Sequence, residues 1–205
     1  MIVIAGPPGS GKTSRFPLSS FGIDWFNADN RAAELNRGSF RKISKQIRTQ
    51  VNSEFEKWIQ SHILMGQSFA METTLRSPIT FEQSRLARDH GFWTALHYVS
   101  AGSVEESVRR IMERSYRGGH SASERLVRAI YNASNRSLLT ALDFGQSGIE
   151  ALRIYDNSKI GGRIRQVLSF RRGAPRWIAA EIPSWLESLL EGSEFEISRL
   201  RRALK

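Results

Sequence analysis

The chain contains no cysteine and only four histidines in 205 residues. The first absence excludes a disulfide framework and a thiolate metal centre, and it suits a reducing cytoplasm. The second leaves little for a histidine metal site, since His62, His90, His97 and His120 share no ligand spacing. No apolar run approaches the about 20 residues that a membrane-spanning helix needs, and the start lacks the basic region and cleavage site of a secretory signal. Internal repeats, low-complexity tracts and linkers are also missing, so residues 1–205 are expected to form a single domain. Acidic residues are scarce beside basic ones, 20 against 30, giving a net charge of +10. That excess suits polyanionic ligands such as a nucleoside triphosphate and an anionic small-molecule substrate, whereas nucleic acid has no support beyond the charge itself.

What the sequence does have is concentrated at its start. Met1 to Ala5 is a short apolar run, and it opens directly into Gly6-Pro7-Pro8-Gly9-Ser10-Gly11-Lys12-Thr13-Ser14. Glycines at this spacing let the backbone wrap a β-phosphate with its N–H groups turned inward. Thr13 is expected to open a helix whose first amides face the same anion. Lys12 supplies a mobile charge for the γ-phosphate, and the Thr13 hydroxyl is placed to hold Mg²⁺. A strand before the loop and a helix after it are the context that this pattern demands, and the sequence is compatible with both. The segment therefore points to ATP or a related nucleotide.

Further along, apolar runs alternate with amphipathic stretches, which predicts a parallel α/β sheet. The expected strands are Met1–Ala5, Ile23–Ala28, Ser68–Glu72, Trp93–Val99 and Leu152–Tyr155, with a weaker sixth at Arg165–Phe170. Arg41–Leu64 reads as a long helix with Ile47, Val51, Phe55 and Trp58 on one stripe. Two helical stretches flank Gly118-Gly119 and suggest a hinged lid over about residues 112–130. The tail from about 174 to 205 reads as a helical closing segment.

Two carboxylates fall where such folds bind ligands, beyond the carboxyl ends of the strands. Asp29 follows the second strand and suits a general base for an acceptor hydroxyl, although an Asp there reads equally well as a helix N-cap before Arg31–Asn36. Glu72, Thr74 and Arg76 alternate in an extended segment and can face one side, where they would grip a polar substrate. Of the arginines at 109, 110, 114, 117, 125 and 128, at least half are expected on solvated faces. Those a lid delivers would neutralise the charge that develops during phosphoryl transfer.

Taken together, Gly6 to Thr13, Phe26-Asn27-Ala28-Asp29, Glu72 to Arg76, Arg114, Gly118-Gly119-His120, Arg128 and Ile154 to Ser158 occur in an order that resembles the zeta toxin family of P-loop kinases, across residues 1–160. The resemblance implies a P-loop NTPase/kinase-like three-layer α/β fold with a central parallel sheet and a helical lid. It implies ATP with Mg²⁺ as donor, a nucleotide sugar such as UDP-N-acetylglucosamine as acceptor, and an antitoxin protein among the candidate partners. By the same resemblance Lys12, Asp29, Arg114 and Arg128 carry catalysis, with Asp29 as base. Glu72, Thr74 and Arg76 would hold the acceptor. The short Gly-Gly-His lid and the segment after Asp29 depart from the family's better-known members.

Overall fold

The computed structural model describes residues 1–116, 122–159 and 162–204. Its centre is a seven-stranded sheet in the order β2-β3-β1-β4-β5-β6-β7. The strands are β1 (Ile2–Ala5), β2 (Asp24–Phe26), β3 (Phe69–Thr73), β4 (Ala95–Ser100), β5 (Ala151–Asp156), β6 (Arg165–Arg171) and β7 (Ala174–Ile178). The first five pair in parallel, as the alternating pattern predicts, and the chain adopts a P-loop kinase-like α/β fold.

The last two strands correct the expectation of an all-parallel sheet and of a helical tail from 174. β6 and β7 form an antiparallel hairpin, with Arg171 paired to Ala174 across a two-residue turn. Arg172 and Gly173 both have positive φ, 51° and 81°, the geometry that matches the twist of a tight hairpin. Pro175 is tolerated because β7 is an edge strand, where a missing N–H breaks no ladder. Helix resumes only at α8 (Ser184–Leu190) and α9 (Ile197–Ala203).

The two faces of the sheet are covered unequally. Side chains of Val3, Phe69, Met71, Leu96, Tyr98, Leu152, Ile154, Leu168 and Phe170 form the main core. Onto it pack α3 (Lys45–Leu64), α4 (Ile79–Asp89) and α6 (Glu124–Leu142), together with α8 and α9. The opposite face holds only a small cluster of Ile4, Leu18 and Ala70 with Ile2, Phe16, Phe21 and Ile23 around it. Its cover is α1 (Lys12–Arg15) and a 3-10 turn at Leu18–Phe21. α1 stops after one turn because Pro17 disfavours helical geometry at Phe16, which sits at φ −132°, ψ 69°.

Between β2 and α3 lies α2 (Ala28–Leu35), and α5 (Val104–Tyr116) precedes α6. A four-residue turn of helix, α7 (Phe144–Ser147), leads into β5. The expected hinge at Gly118-Gly119, with His120 and Arg117, lies outside the described residues. The end of α5 and the start of α6 fall within the expected lid, and the later turns of α6 are anchored in the core by Leu138, Ala141 and Leu142. Among the described residues no helix is long and apolar enough to cross a membrane.

Candidate active site

The phosphate cradle runs from the end of β1 to the start of α1, at the centre of the sheet, and its glycines are fixed by packing as well as by backbone angle. Gly6 has φ 139°, and a Cβ there would stand 2.1 Å from the Val99 carbonyl oxygen of the neighbouring strand. Gly11 has φ 91°, and its Cβ would lie 2.5 Å from Asn157 Nδ2. No other residue fits either position.

Lys12 is buried, and its ammonium donates to the carbonyls of Gly6 at 2.8 Å and Pro7 at 3.1 Å. Burial pushes its pKa down, while Glu72 and Asp29 oppose that shift and Arg114 adds to it. Glu72 ends up beside both cradle side chains. Its Oε2 accepts from the Thr13 hydroxyl at 2.9 Å, and its Oε1 stands 4.0 Å from Lys12 Nζ. These groups open into a cleft of about 1210 Å³.

That cleft brings together most of the residues expected from sequence. Pro8, Gly9, Gly11, Lys12, Thr13, Ser14, Asp29, Glu72, Thr74, Arg76 and Arg114 all line it. Gly6, Pro7 and Ser10 stand behind its surface, where the Gly6 and Pro7 carbonyls serve Lys12. Ser10 is fully buried, and its hydroxyl has no partner among the described residues. Arg128 is not in the lining; it is held at the surface by Glu124 at 2.9 Å and Glu105 at 3.0 Å. Arg125 is exposed, and Arg109 is tied to Glu106 and Glu113.

Asp29 proves not to be a helix cap. Asn27 caps α2, its Oδ1 accepting from the amides of Asp29 at 3.0 Å and Asn30 at 3.1 Å. Asp29 is thereby placed in the first turn with its carboxylate free to face the cleft, 3.9 Å from Arg48. The extended alternation expected over Glu72 to Arg76 also ends early. β3 stops at Thr73, and the buried Leu75 takes a left-handed φ of 55°, with its amide bound to Thr73 Oγ1 at 3.1 Å. A left-handed leucine costs on the order of 1–3 kcal/mol, and such strain persists where its surroundings hold it. Here it re-aims the chain while Thr74 and Arg76 both still reach the cleft.

Sequence reasoning had Arg110 only in the arginine cluster and Asn157 only in the segment Ile154 to Ser158, not as groups that brace the cradle. Arg110 donates to the carbonyls of Gly9 at 3.3 Å and Asn157 at 2.8 Å, and Glu106 holds the same guanidinium. Asn157 Nδ2 in turn donates to the Ser10 carbonyl at 2.8 Å. The far wall of the cleft was also missed: Arg48, Asn52, Phe55 and Glu56 lie along one stripe of α3. Their spacing of four, three and one was a readable signal, obscured by the apolar stripe beside it.

One cleft thus has the glycine-rich loop with Lys12 on one side and the Asp29 carboxylate, beside Arg48, on the other. The volume exceeds the about 300–1,000 Å³ of a typical single-ligand site.

An uncharacterised protein of Haemophilus influenzae is 29% identical over 134 residues, covering 63% of this chain and 91% of that one. A structure of the PezAT chromosomal toxin–antitoxin system of Streptococcus pneumoniae superposes with a TM-score of 0.61 at 16% identity, over 100% of this chain and 87% of that one. AvrRxo1-ORF1:-ORF2 crystallised with ATP gives a TM-score of 0.66 at 15% identity, over 85% of this chain. This chain spans 59% of the length of that one. At such identities the structural likeness is one of fold. The pattern of the family described as Zeta toxin matches residues 1–160, and the chain therefore belongs to the zeta toxin family.

Proposed function

We propose that the protein is an ATP-dependent kinase that phosphorylates a sugar hydroxyl of a nucleotide sugar such as UDP-N-acetylglucosamine. Family membership supports a kinase-type phosphotransferase in a toxin–antitoxin setting. The observation that carries the reading is the cleft itself, with Lys12 and the cradle at one side and the Asp29 carboxylate, released from capping duty, at the other.

In this reading the triphosphate sits against the cradle and Lys12 exchanges the Gly6 and Pro7 carbonyls for phosphate oxygens. Asp29 accepts the proton of the acceptor hydroxyl as its oxygen bonds to the γ-phosphorus. The bond from that phosphorus to the β,γ-bridging oxygen breaks, and ADP leaves with the electron pair. Arg114 stands in the cleft to neutralise the equatorial oxygens, and Arg110 with Asn157 keeps the cradle in shape. For Arg128 to join them it must leave both Glu105 and Glu124. Thr74 and Arg76 hold the acceptor, with Arg48 available to an anionic group on it.

Thr13 and Glu72 offer hard oxygen donors at hydrogen-bond distance from one another, a set that fits Mg²⁺, which commonly binds through one or two protein oxygens plus substrate phosphates. When bound, the ion would neutralise charge between the β- and γ-phosphates.

The test is a screen of candidate acceptors with γ-labelled ATP. UDP-N-acetylglucosamine should become labelled and should stimulate ADP release. Label on a nucleic-acid 5′-hydroxyl instead would replace the acceptor, and ADP release unaffected by every acceptor would leave an NTP-binding regulator.

A further inference from the structure

In a sheet of this order the first connection, from β1 to β2, runs toward one edge, and the later parallel connections run toward the other. Right-handed crossovers then put the two sets on opposite faces. The β1 to β2 connection is only α1 and the 3-10 turn, and after β5 the chain turns back as a hairpin rather than adding a helix. Among the described residues, no helix therefore covers the α1 side of β6 and β7, and on β5 only Tyr155 is met from that side, by Phe16; these strands pair antiparallel, an arrangement that can leave one face open.

Register shows what this uncovered half presents. His97, Arg153, Ser169 and Trp177 pair in sequence across β4, β5, β6 and β7, so one row crosses four strands on a single face. His97 is buried under Phe16 and Phe21 and Ser169 is buried at the floor of the row, but Arg153 is exposed and Trp177 keeps 43% of its surface. Trp93, 39% exposed, lies beneath the guanidinium of Arg171 at 5.0 Å. Carboxylates in the region are already engaged, Glu150 with Arg172 and Asp156 and Glu181 with Arg165. Among the described residues Arg153 and Arg171 have no acidic partner, so the surface is both apolar and cationic.

We propose that this open half-sheet, along Arg153, Ser169 and Trp177 and bordered by Trp93, Tyr155 and Arg171, docks an acidic amphipathic helix of a partner protein. A helix is the element that the opposite face uses to cover these same strands, and an apolar stripe flanked by Asp and Glu complements exposed tryptophans set among arginines. A second copy of this chain is disfavoured by like charge on both sides. Single-stranded nucleic acid needs free ring faces for stacking. Here Trp93 is covered by Arg171 and Arg172, and Tyr155 stacks on His97 with an interplanar angle of 8° and meets Phe16 at 4.8 Å, which leaves Trp177 as a single platform where successive bases need several. The inference does not rest on the kinase reading.

The experiment titrates the full chain with a synthetic helical peptide of about five turns. The peptide carries a Leu/Phe stripe flanked by Glu, and the controls are its isomer with Lys for Glu and single-stranded oligo(dT). The acidic peptide should bind, protect β5 to β7 amides from hydrogen exchange, and lose at least about tenfold in affinity in Arg153→Glu/Trp177→Ala, while Mg-ATP binding in that variant stays at the wild-type level. The proposal is overturned if the acidic peptide binds no better than its Lys isomer, if the double variant binds it as well as wild type, or if oligo(dT) is the probe that binds and is lost in the variant.

Discussion

Thr13 and Glu72, 59 positions apart in the chain, are joined by a 2.9 Å hydrogen bond, and the same carboxylate stands 4.0 Å from the ammonium of Lys12. A strand end and the first turn of a helix thus meet where the proposed function puts the terminal phosphates of the nucleotide. Glu72 favours the charged form of Lys12 against burial. The cradle is consequently organised before any phosphate arrives, which lowers the ordering cost of binding.

Lys12→Ala should lower kcat by at least about 10²–10³, since a donor aimed at developing charge is lost. The fold should survive, because Glu72, which loses its cationic partner, lines the open cleft and can be solvated there. Turnover at saturating Mg-ATP and a thermal melt check both, and near wild-type turnover would end the cradle's assignment.

For Asp29→Asn we expect a loss of about 10²–10⁴ in the chemical step, with nucleotide affinity kept within a few-fold. Since Asn27 holds the cap, Tm should not move, whereas Asn27→Ala should cost about 1 kcal/mol of stability. Single-turnover rates beside chemical denaturation separate the roles, and an unchanged rate in Asp29→Asn rules out the base.

Arg114 and Arg128 should no longer behave alike. Arg114 lines the cleft, so Arg114→Ala should lower kcat more than it weakens nucleotide binding. Arg128 is engaged by two carboxylates outside it, and Arg128→Ala should have the smaller effect of the two. Arg201→Ala, on the distant tail, sets the baseline. Equally small changes in kcat and Kd across all three variants would reject the lid mechanism.

The buried His97 predicts an acid limb in stability. Desolvation first, and then the charge of Arg153, push its imidazole from 6.5 down to about 4. The unfolded chain therefore takes up the proton before the folded one, so stability is full above about pH 6.5 and declines as pH falls toward 4, by about 3 kcal/mol. Chemical denaturation across that range should show a shallower decline for His97→Gln. An equally steep decline in the variant would place the titration elsewhere.

The parts of the fold that were legible in the sequence are those written locally. β1, β3 and β4 are apolar runs buried on both faces, and the Gly-rich loop carries its own geometry. Ser123 caps α6 as its position before the amphipathic run suggests. β7 was missed because it is an exposed edge strand, where Pro175 and Trp177 show no clear apolar alternation, and because the Arg172-Gly173 turn was not read as a hairpin. The helix that Thr13 was expected to open is there, but it lasts one turn, because Pro17 follows. In the site, Lys12, Thr13 and Asp29 sit beside their own structural signals. Arg110 and Asn157 reach the cradle across 101 and 147 positions, so no local pattern could have placed them. Nor could spacing foretell the left-handed turn at Leu75.

One consequence follows from the shortness of α1. A helix of four residues is about 6 Å long, so its partial positive and negative ends lie close enough to cancel much of their field at a bound anion. In the proposed function, attraction for phosphate then depends on discrete side-chain cations. Of these Lys12 is sheltered from counterions, while Arg114 is exposed to them. Ionic strength thereby becomes a selector: added salt should weaken the contribution of Arg114 while leaving the grip of Lys12 largely intact.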